Sequence, residues 1–140
     1  MSRPQPKFVL FAHNATYDKL HQVATLGLTA AAMGKDVIVV LLFWTIKKLA
    51  EGRMDDIDFP LEYAASGKDV ARLLQEKNVP KISEMFAEAK LVGKLRMIAC
   101  SAGLEYMGVD GEAVSKEVDE VLGLPAIISL TADAETALFI

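Results

Sequence analysis

The stretch DVIVVLLF, residues 36–43, opens with one acidic residue and then contains only apolar positions. A strand with one solvated face alternates apolar and polar residues, whereas a continuous run is typical of a strand buried on both faces of a parallel sheet. Two further runs, KFVLFAH at 7–13 and KLRMIAC at 94–100, lie on either side of it. The longest apolar run, Val37–Trp44, falls well short of the about 20 residues that cross a bilayer. We therefore expect a buried parallel sheet and no transmembrane segment.

Between these runs, apolar residues recur at the spacing of amphipathic helices. The residues at 20, 23, 24 and 27 share one face of a helix predicted over 18–33, which Gly34 is placed to end. Alternating strands and helices predict one domain over residues 1–140, a three-layer α/β/α sandwich with a mainly parallel sheet of about five strands. The predicted strands are 7–13, 36–43, 94–100, 125–130 and 136–140. The predicted helices are 18–33, 45–51, 67–77, 80–92, 104–107 and 112–122, with a loop over 53–63.

The composition excludes several classes of function. The formal net charge is -4 and the basic residues are scattered, so no nucleic-acid partner is expected, because such a surface needs clustered lysine and arginine. The single cysteine excludes an internal disulfide and a four-cysteine metal site, and it fits a reducing compartment. Residues 1–7 are polar, contain two prolines and do not resemble a signal peptide. These features predict a soluble, cytoplasmic protein.

The carboxyl ends of the predicted strands indicate where a site could lie, because open parallel sheets bind ligands beyond those ends. The residue pairs that leave them are His13–Asn14, Trp44–Thr45, Cys100–Ser101 and Leu130–Thr131. Cys100 is the strongest candidate, since small residues lead from it into a predicted helical turn. A thiol that faces the free N–H groups of a helix start is favoured as the reactive thiolate. A small, buried, structural cysteine is the alternative, and position alone leaves both interpretations open.

Several familiar cysteine chemistries do not fit the residues around Cys100. A phosphatase or rhodanese-type anion loop ends in arginine, but Tyr106 stands at that position here and Glu105 would repel an anion. A Cys-x-x-Cys redox pair is absent from the sequence. A cysteine protease needs a base, and the only histidines are His13 and His21. His13 could approach Cys100 only if the first and third strands are neighbours, while His21 is expected to face solvent or an interface.

No cofactor and no metal ion is predicted. The segment HNATYDK after the first strand, residues 13–19, lacks both the G-x-G-x-x-G pattern of dinucleotide sites and the Walker lysine pattern. Asp55, Asp56 and Asp58 lack the spacing of an EF-hand loop, and we expect them in a solvated loop. The candidate binding residues are His13, Asn14, Trp44, Thr45, Ser101, Ala102 and Gly103.

Four stretches of the chain carry a family resemblance: TYDKL (16–20), AAAMGKDVIVVLLFW (30–44), KNVPKISEMFAEAKLVGKLRMIAC (77–100) and MGVDGE (107–112). Together they resemble the DsrE-like family of small sulfur-handling proteins, and more narrowly its DsrE/DsrF/DsrH-like, peroxiredoxin-like branch. The likeness runs from the first strand to the terminal TALFI. It implies an α/β/α fold with a five-stranded, mainly parallel sheet and an oligomeric state, for which we expect a homo-oligomer.

The resemblance also implies a chemical role for Cys100, which stands at the position of the family's reactive cysteine. Its thiolate would attack a persulfide or polysulfide, hold the sulfane sulfur as a persulfide and deliver it to an acceptor thiol. An exposed, apolar-walled pocket would suit this exchange. The implied partners are a sulfur donor and an acceptor thiol, on proteins or small molecules. Ala102 and Gly103 depart from the branch, where a methionine–serine pair usually follows the cysteine.

Two other functions remain open from the sequence. The first is a non-catalytic, oligomeric small-molecule-binding or scaffold protein in which Cys100 is structural. The second is a thiol peroxidase, which the branch's name suggests. No arginine or threonine directly adjoins Cys100 in the sequence to activate a peroxide, so this function is the less favoured of the two.

Overall fold

The computed structural model describes residues 3–140 and contains one sheet of five strands, all parallel. The strands are β1 (Lys7–Ala12), β2 (Asp36–Leu41), β3 (Lys94–Cys100), β4 (Glu120–Leu122) and β5 (Thr136–Phe139), in the order β4-β3-β2-β1-β5. The helices are α1 (Tyr17–Ala32), α2 (Trp44–Ala50), α3 (Ala64–Glu76), α4 (Ile82–Val92), α5 (Ser101–Tyr106), α6 (Gly111–Ser115) and α7 (Leu124–Thr131), with a 3-10 turn at Leu61–Tyr63. The predicted α/β/α sandwich is confirmed. Within residues 3–140, no helix has the length and apolar character needed to cross a membrane.

The run that predicted the sheet forms its centre. β2 lies between β1 and β3, and its residues Val37–Leu41 are fully buried. Val39, for example, pairs with Leu10 on one side and Met97 on the other. Burial of each such aliphatic side chain contributes roughly 1.5–3 kcal/mol. A run without polar positions is therefore what this central strand requires.

One face of the sheet is covered by α1 and α4, which pack against each other and against β3. Gly27 permits the close approach of α1, because a Cβ atom there would lie 3.2 Å from Leu95 Cδ1 and 3.5 Å from Leu10 Cδ1. Both leucines therefore point toward α1. Side chains alternate along a strand, so Cys100, an odd number of positions after Leu95, points to the opposite face. The thiol is directed into the layer of short helices, in which α2 contacts α5 and α6.

The predictions for the C-terminal third of the chain are wrong in two places. Residues 125–130 form most of helix α7 rather than a strand. The run PAIISL does not distinguish a buried strand from a helix, and Pro125 fits the first helical turn because its fixed φ is helical and no N–H is needed there. Leu130 and Thr131 are consequently at a helix end, where Thr131 Oγ1 donates to Ile127 O at 2.8 Å.

The second error is the helix predicted over 112–122, which ends at Ser115. Asp119 accounts for the break, since its backbone N–H donates to Met97 O and its carboxylate accepts from Met97 N. This places the following residues beside β3, where Val121 pairs with Ala99 and Leu122 with Cys100. The valine spacing that suggested a helix thus includes part of strand β4.

Candidate functional site

Cys100 is the last residue of β3, and α5 begins at the next residue. Its thiol is free and only 3% of the residue is exposed. The predicted location at the carboxyl edge of the sheet is therefore correct, and the sulfur there is buried rather than in the exposed pocket that would suit the exchange. The predicted helix start at 104 also lies three residues late, because Ser101, Ala102 and Gly103 already belong to α5.

Gly103 determines how closely α5 packs over the thiol. A Cβ atom at this position would lie 3.8 Å from Cys100 Cβ, 3.7 Å from Phe43 N and only 2.5 Å from Ile46 Cδ1. No larger residue fits without a shift of its neighbours. Gly103 therefore lies at a tight contact between α5, the cysteine and the β2–α2 turn.

The β2–α2 turn contains an unusual backbone conformation at Phe43. This residue has φ 51° and ψ -111°, and its side chain is half-exposed. A bulky residue with positive φ is strained, and such strain is concentrated at functional sites. Because Phe43 N and Cys100 Cβ would lie 3.7 and 3.8 Å from the same Cβ atom at Gly103, the strained turn and the cysteine border the same point of α5. No local sequence pattern predicts this conformation, since positive φ is associated with glycine or asparagine.

Thr45 holds the turn in place. The residue is fully buried, its Oγ1 donates to Ala12 O at 2.7 Å, and Leu42 N donates to Oγ1 at 3.0 Å. The hydroxyl joins the ends of β1 and β2 and is occupied within the protein. Thr45 is predicted to bind a ligand, but in the structure its hydroxyl supports the β2–α2 turn instead.

His13 and Cys100 are not brought together. β2 separates their strands, so two strand spacings, about 9.5 Å, lie between them. His13 is exposed, its Nε2 lies 3.3 Å from Asn14 Nδ2, and its backbone N–H donates to Ile140 O. The condition for a histidine base next to the thiol is therefore not met. His21, expected to face solvent or an interface, is instead half-buried, and its Nε2 is buried without a hydrogen-bond partner.

Asn14 and Trp44 meet in a separate cleft at the ends of β1 and β2. Its volume is about 310 Å³, and its walls include Lys47, Lys48 and Arg53. The indole of Trp44 is 57% exposed and forms an open apolar wall. The structure thus separates the predicted residues. Cys100 and the first residues of α5, Ser101, Ala102 and Gly103, form one group, and Asn14 and Trp44 line the cleft, which neither His13 nor Thr45 lines.

Lys48 is the residue of this cleft that sequence reasoning missed. It is 5% exposed, and its Nζ donates to Ala15 O at 2.7 Å and to Asp58 Oδ1 at 2.9 Å. In the sequence it belonged to an ordinary basic pair with Lys47. The only signal was its position on α2, three residues after the buried Thr45 and therefore on the same helix face.

The three acidic residues 55, 56 and 58 lie in the predicted loop and are at least partly exposed, and each is also held by a hydrogen bond. Asp55 accepts from the backbone N–H of Ser83, Asp56 accepts from Arg53 Nε, and Asp58 accepts from the backbone N–H of Tyr17. The hydrogen bonds that Arg53 donates to Asp56 and Glu51 raise the pKa of its guanidinium. In the part of the chain that the structure describes, no three metal-ligating side chains come together.

Solved structures share the fold. The protein of unknown function MTH1491 from Methanobacterium thermoautotrophicum is 16% identical with a TM-score of 0.58, and the match covers 97% of this chain and 100% of that one. The ychN protein from E. coli is also 16% identical, with a TM-score of 0.58 and coverage of 98% and 100%. BT1422, a conserved protein of unknown function from Bacteroides thetaiotaomicron, is 16% identical with a TM-score of 0.55 and covers 94% of each chain.

No family model and no curated protein matches the sequence. An identity of 16% to the solved structures establishes a shared fold, and function has to be argued from the site itself.

Proposed function

We propose that the protein is a cytoplasmic, DsrE-like sulfur carrier or sulfurtransferase that holds sulfane sulfur on Cys100. The observation that carries this proposal is the location of the chain's sole thiol, at the carboxyl end of the strand next to the sheet centre. This edge is where open parallel sheets place their ligands. A strained turn at Phe43 beside the cysteine gives further support.

The proposed chemistry needs no external oxidant. The Cys100 thiolate attacks the outer sulfur of a donor persulfide, the donor S–S bond breaks, and the donor leaves as a thiolate that takes up the proton released by Cys100. An acceptor thiolate then attacks the outer sulfur of the Cys100 persulfide. This second exchange restores the Cys100 thiolate and moves the sulfane sulfur to the acceptor.

Burial of Cys100 means that both exchanges require a local opening. Helix α5, which has six residues, begins directly after Cys100, and the turn that contains Phe43 packs against this helix at Gly103. A short helix next to a strained turn is the part of this layer that can move at least cost. In the closed state the same cover would shield a persulfide from water and from unintended thiols.

A second candidate function follows from the cleft around Asn14 and Trp44. Cys100 is buried like a structural cysteine, and an open cleft of about 310 Å³ lies at the neighbouring strand ends. This arrangement fits a non-catalytic small-molecule-binding protein. The two candidates differ in one property, which is whether the folded protein takes up sulfur.

The deciding experiment is intact-protein mass spectrometry after treatment of the folded protein with polysulfide. A sulfur carrier gains sulfur on Cys100, and Cys100→Ser gains none. A matched control combines Cys100→Ser with Ser101→Cys, which moves the thiol by one residue to an exposed position. If the native protein gains no sulfur while the urea-unfolded chain does, or if the displaced thiol is equally effective in passing sulfur to an acceptor, the proposal is wrong.

The proposed homo-oligomer is supported by apolar side chains at the β5 side of the sheet. Phe139 is 72% exposed, and its ring stacks on that of Phe11 with centroids 4.5 Å apart. On α7, Ile128 is 66% exposed. Large apolar side chains left in water at one end of a sheet are typical of an interaction surface.

A further inference from the structure

A second cavity lies beside α3 and the start of α1. It has a volume of about 490 Å³ and is bounded by the start of α1, residues 55–57, α3 and residues 79–81. Small-molecule sites have volumes of roughly 300–1,000 Å³. None of the predicted binding residues lines this cavity, and neither does Cys100. Its chemistry is therefore independent of the sulfur proposal.

Part of the cavity wall is apolar. Ile57, Leu74 and Val79 contribute aliphatic surface, and a smaller hollow of about 250 Å³ beside Phe59 shares Ile57 with it. Helix α3 has no fully buried side chain of its own, so it leaves apolar surface open to a ligand. An apolar body could extend from the main cavity toward Phe59.

The rim carries more positive than negative charge. Lys68, Arg72 and Lys81 line the cavity, and Asp55 is its only acidic lining residue. The Asp55 carboxylate already accepts two hydrogen bonds from Ser83, through its backbone N–H and its hydroxyl. Arg72 pairs with acidic residues of its own helix. Within residues 3–140, neither Lys68 nor Lys81 forms an ion pair, so two ammonium groups are free to meet an anion.

Tyr17 adds a hydrogen-bond donor to the wall. Burial, followed by the negative charge of Asp55, raises the pKa of the Tyr17 phenol. The phenol therefore remains protonated and able to donate throughout the neutral pH range. Its ring is fixed by edge contact with Phe59, with centroids 5.9 Å apart.

We propose that this cavity binds a small organic anion with an apolar body. The anionic group lies between Lys68 and Lys81, and the apolar body covers Ile57, Leu74 and Val79. Carboxylates and phosphate monoesters share this chemistry. A neutral or cationic molecule of the same shape gains nothing from the two lysines.

The proposal is tested by following backbone amide signals of the protein by NMR during titration with octanoate and with octyl phosphate. We expect saturable shifts confined to residues around 55–57, 68–75 and 79–81 for at least one of them, and the tighter of the two identifies the head group. Octylamine and 1-octanol test the need for the anion, and inorganic phosphate tests the need for the apolar body. Equal binding of any of these three, or no binding of either anion, overturns the proposal.

Two pairs of variants locate the site. Lys68→Gln should weaken binding of the tighter anion about fivefold, the size expected for one exposed ion pair, whereas Lys77→Gln, at the residue that follows the same helix and outside the cavity, should not. Ala71→Phe should fill the cavity and abolish binding, whereas Ala65→Phe, exposed and outside the cavity, should not. Equal effects of the two members of either pair would place the ligand elsewhere.

Discussion

Lys48 Nζ lies 2.9 Å from Asp58 Oδ1, and this ion pair joins α2 to the loop that leads toward α3. The same Asp58 oxygen accepts the backbone N–H of Tyr17 at the start of α1. Lys48 is almost fully buried, whereas the Asp58 side chain is 41% exposed. Three segments that are distant in sequence are therefore held by one charged contact next to the Trp44 cleft.

Removal of the Lys48 cation should destabilise the protein. In Lys48→Met the ammonium that bridges Ala15 O and Asp58 is lost, and because Asp58 can still be hydrated, we expect a loss of about 2 kcal/mol rather than the larger cost of a fully buried pair. The measurement is the free energy of unfolding in urea. Lys47→Met is the control, since Lys47 is half-exposed and its nearest carboxylate, Glu51, lies 3.5 Å away. An equal effect in the two variants would contradict the structural role of Lys48.

The contact between Gly103 and Ile46 should be sensitive to a single methyl group. Gly103→Ala places a Cβ atom 2.5 Å from Ile46 Cδ1, and we expect a destabilisation of about 1–3 kcal/mol from overpacking. Ile46→Val removes the clashing Cδ1 atom, so the double variant should recover part of the loss. Gly111→Ala is the control, because nothing lies within 4 Å of a Cβ atom there. If the changes in the free energy of unfolding caused by the two substitutions were strictly additive, residues 103 and 46 would not be in contact.

Stability should fall as the pH drops below the ordinary pKa of histidine. Burial lowers the pKa of His21, so the unfolded chain binds a proton at a higher pH than the folded chain does. The stabilising contribution is thus complete above pH about 6.5 and decreases as the pH falls toward the lower pKa of the folded state. Urea unfolding between neutral and mildly acidic pH measures this slope. His21→Leu should flatten the dependence of stability on pH, whereas His13→Leu, at an exposed position, should not. The opposite pattern would show that His21 is not the group responsible.

The oligomer should depend on the aromatic pair at the edge of the sheet. Phe139→Glu introduces a charge at a side chain that is 72% exposed and stacked on Phe11, and we expect a lower molar mass by light scattering. Leu91→Glu is the control, since Leu91 is 84% exposed on α4. A monomeric wild-type protein, or an unchanged mass for Phe139→Glu, would rule out this surface as the interface.

The sequence was sufficient for the sheet centre and insufficient for its edges. Val37–Leu41 is apolar at every position because the strand is buried on both faces, and that pattern is visible without a structure. By contrast, an apolar run such as the one after Pro125 is compatible with either a strand or a helix, and tertiary packing decides between them. Strand order is also absent from the local pattern, so the separation of His13 from Cys100 by β2 could not be predicted.

The candidate site, like the sheet, could be predicted from the sequence only in part. Fold logic placed Cys100 correctly at the carboxyl edge of β3. Its burial, however, depends on a contact between Gly103 and Ile46 from two different helices. The strained backbone of Phe43 likewise results from packing around the turn, since phenylalanine has no local preference for positive φ.

Because the only thiol is buried, the rate at which Cys100 is alkylated in the native protein reports how often its surroundings open. Alkylation of the native protein can proceed only while α5 or the Phe43 turn is displaced, so the ratio of the native rate to that of the unfolded chain gives the population of the open state. An acceptor that takes sulfur from Cys100 faster than this opening occurs must itself bind the protein and displace α5 or the Phe43 turn.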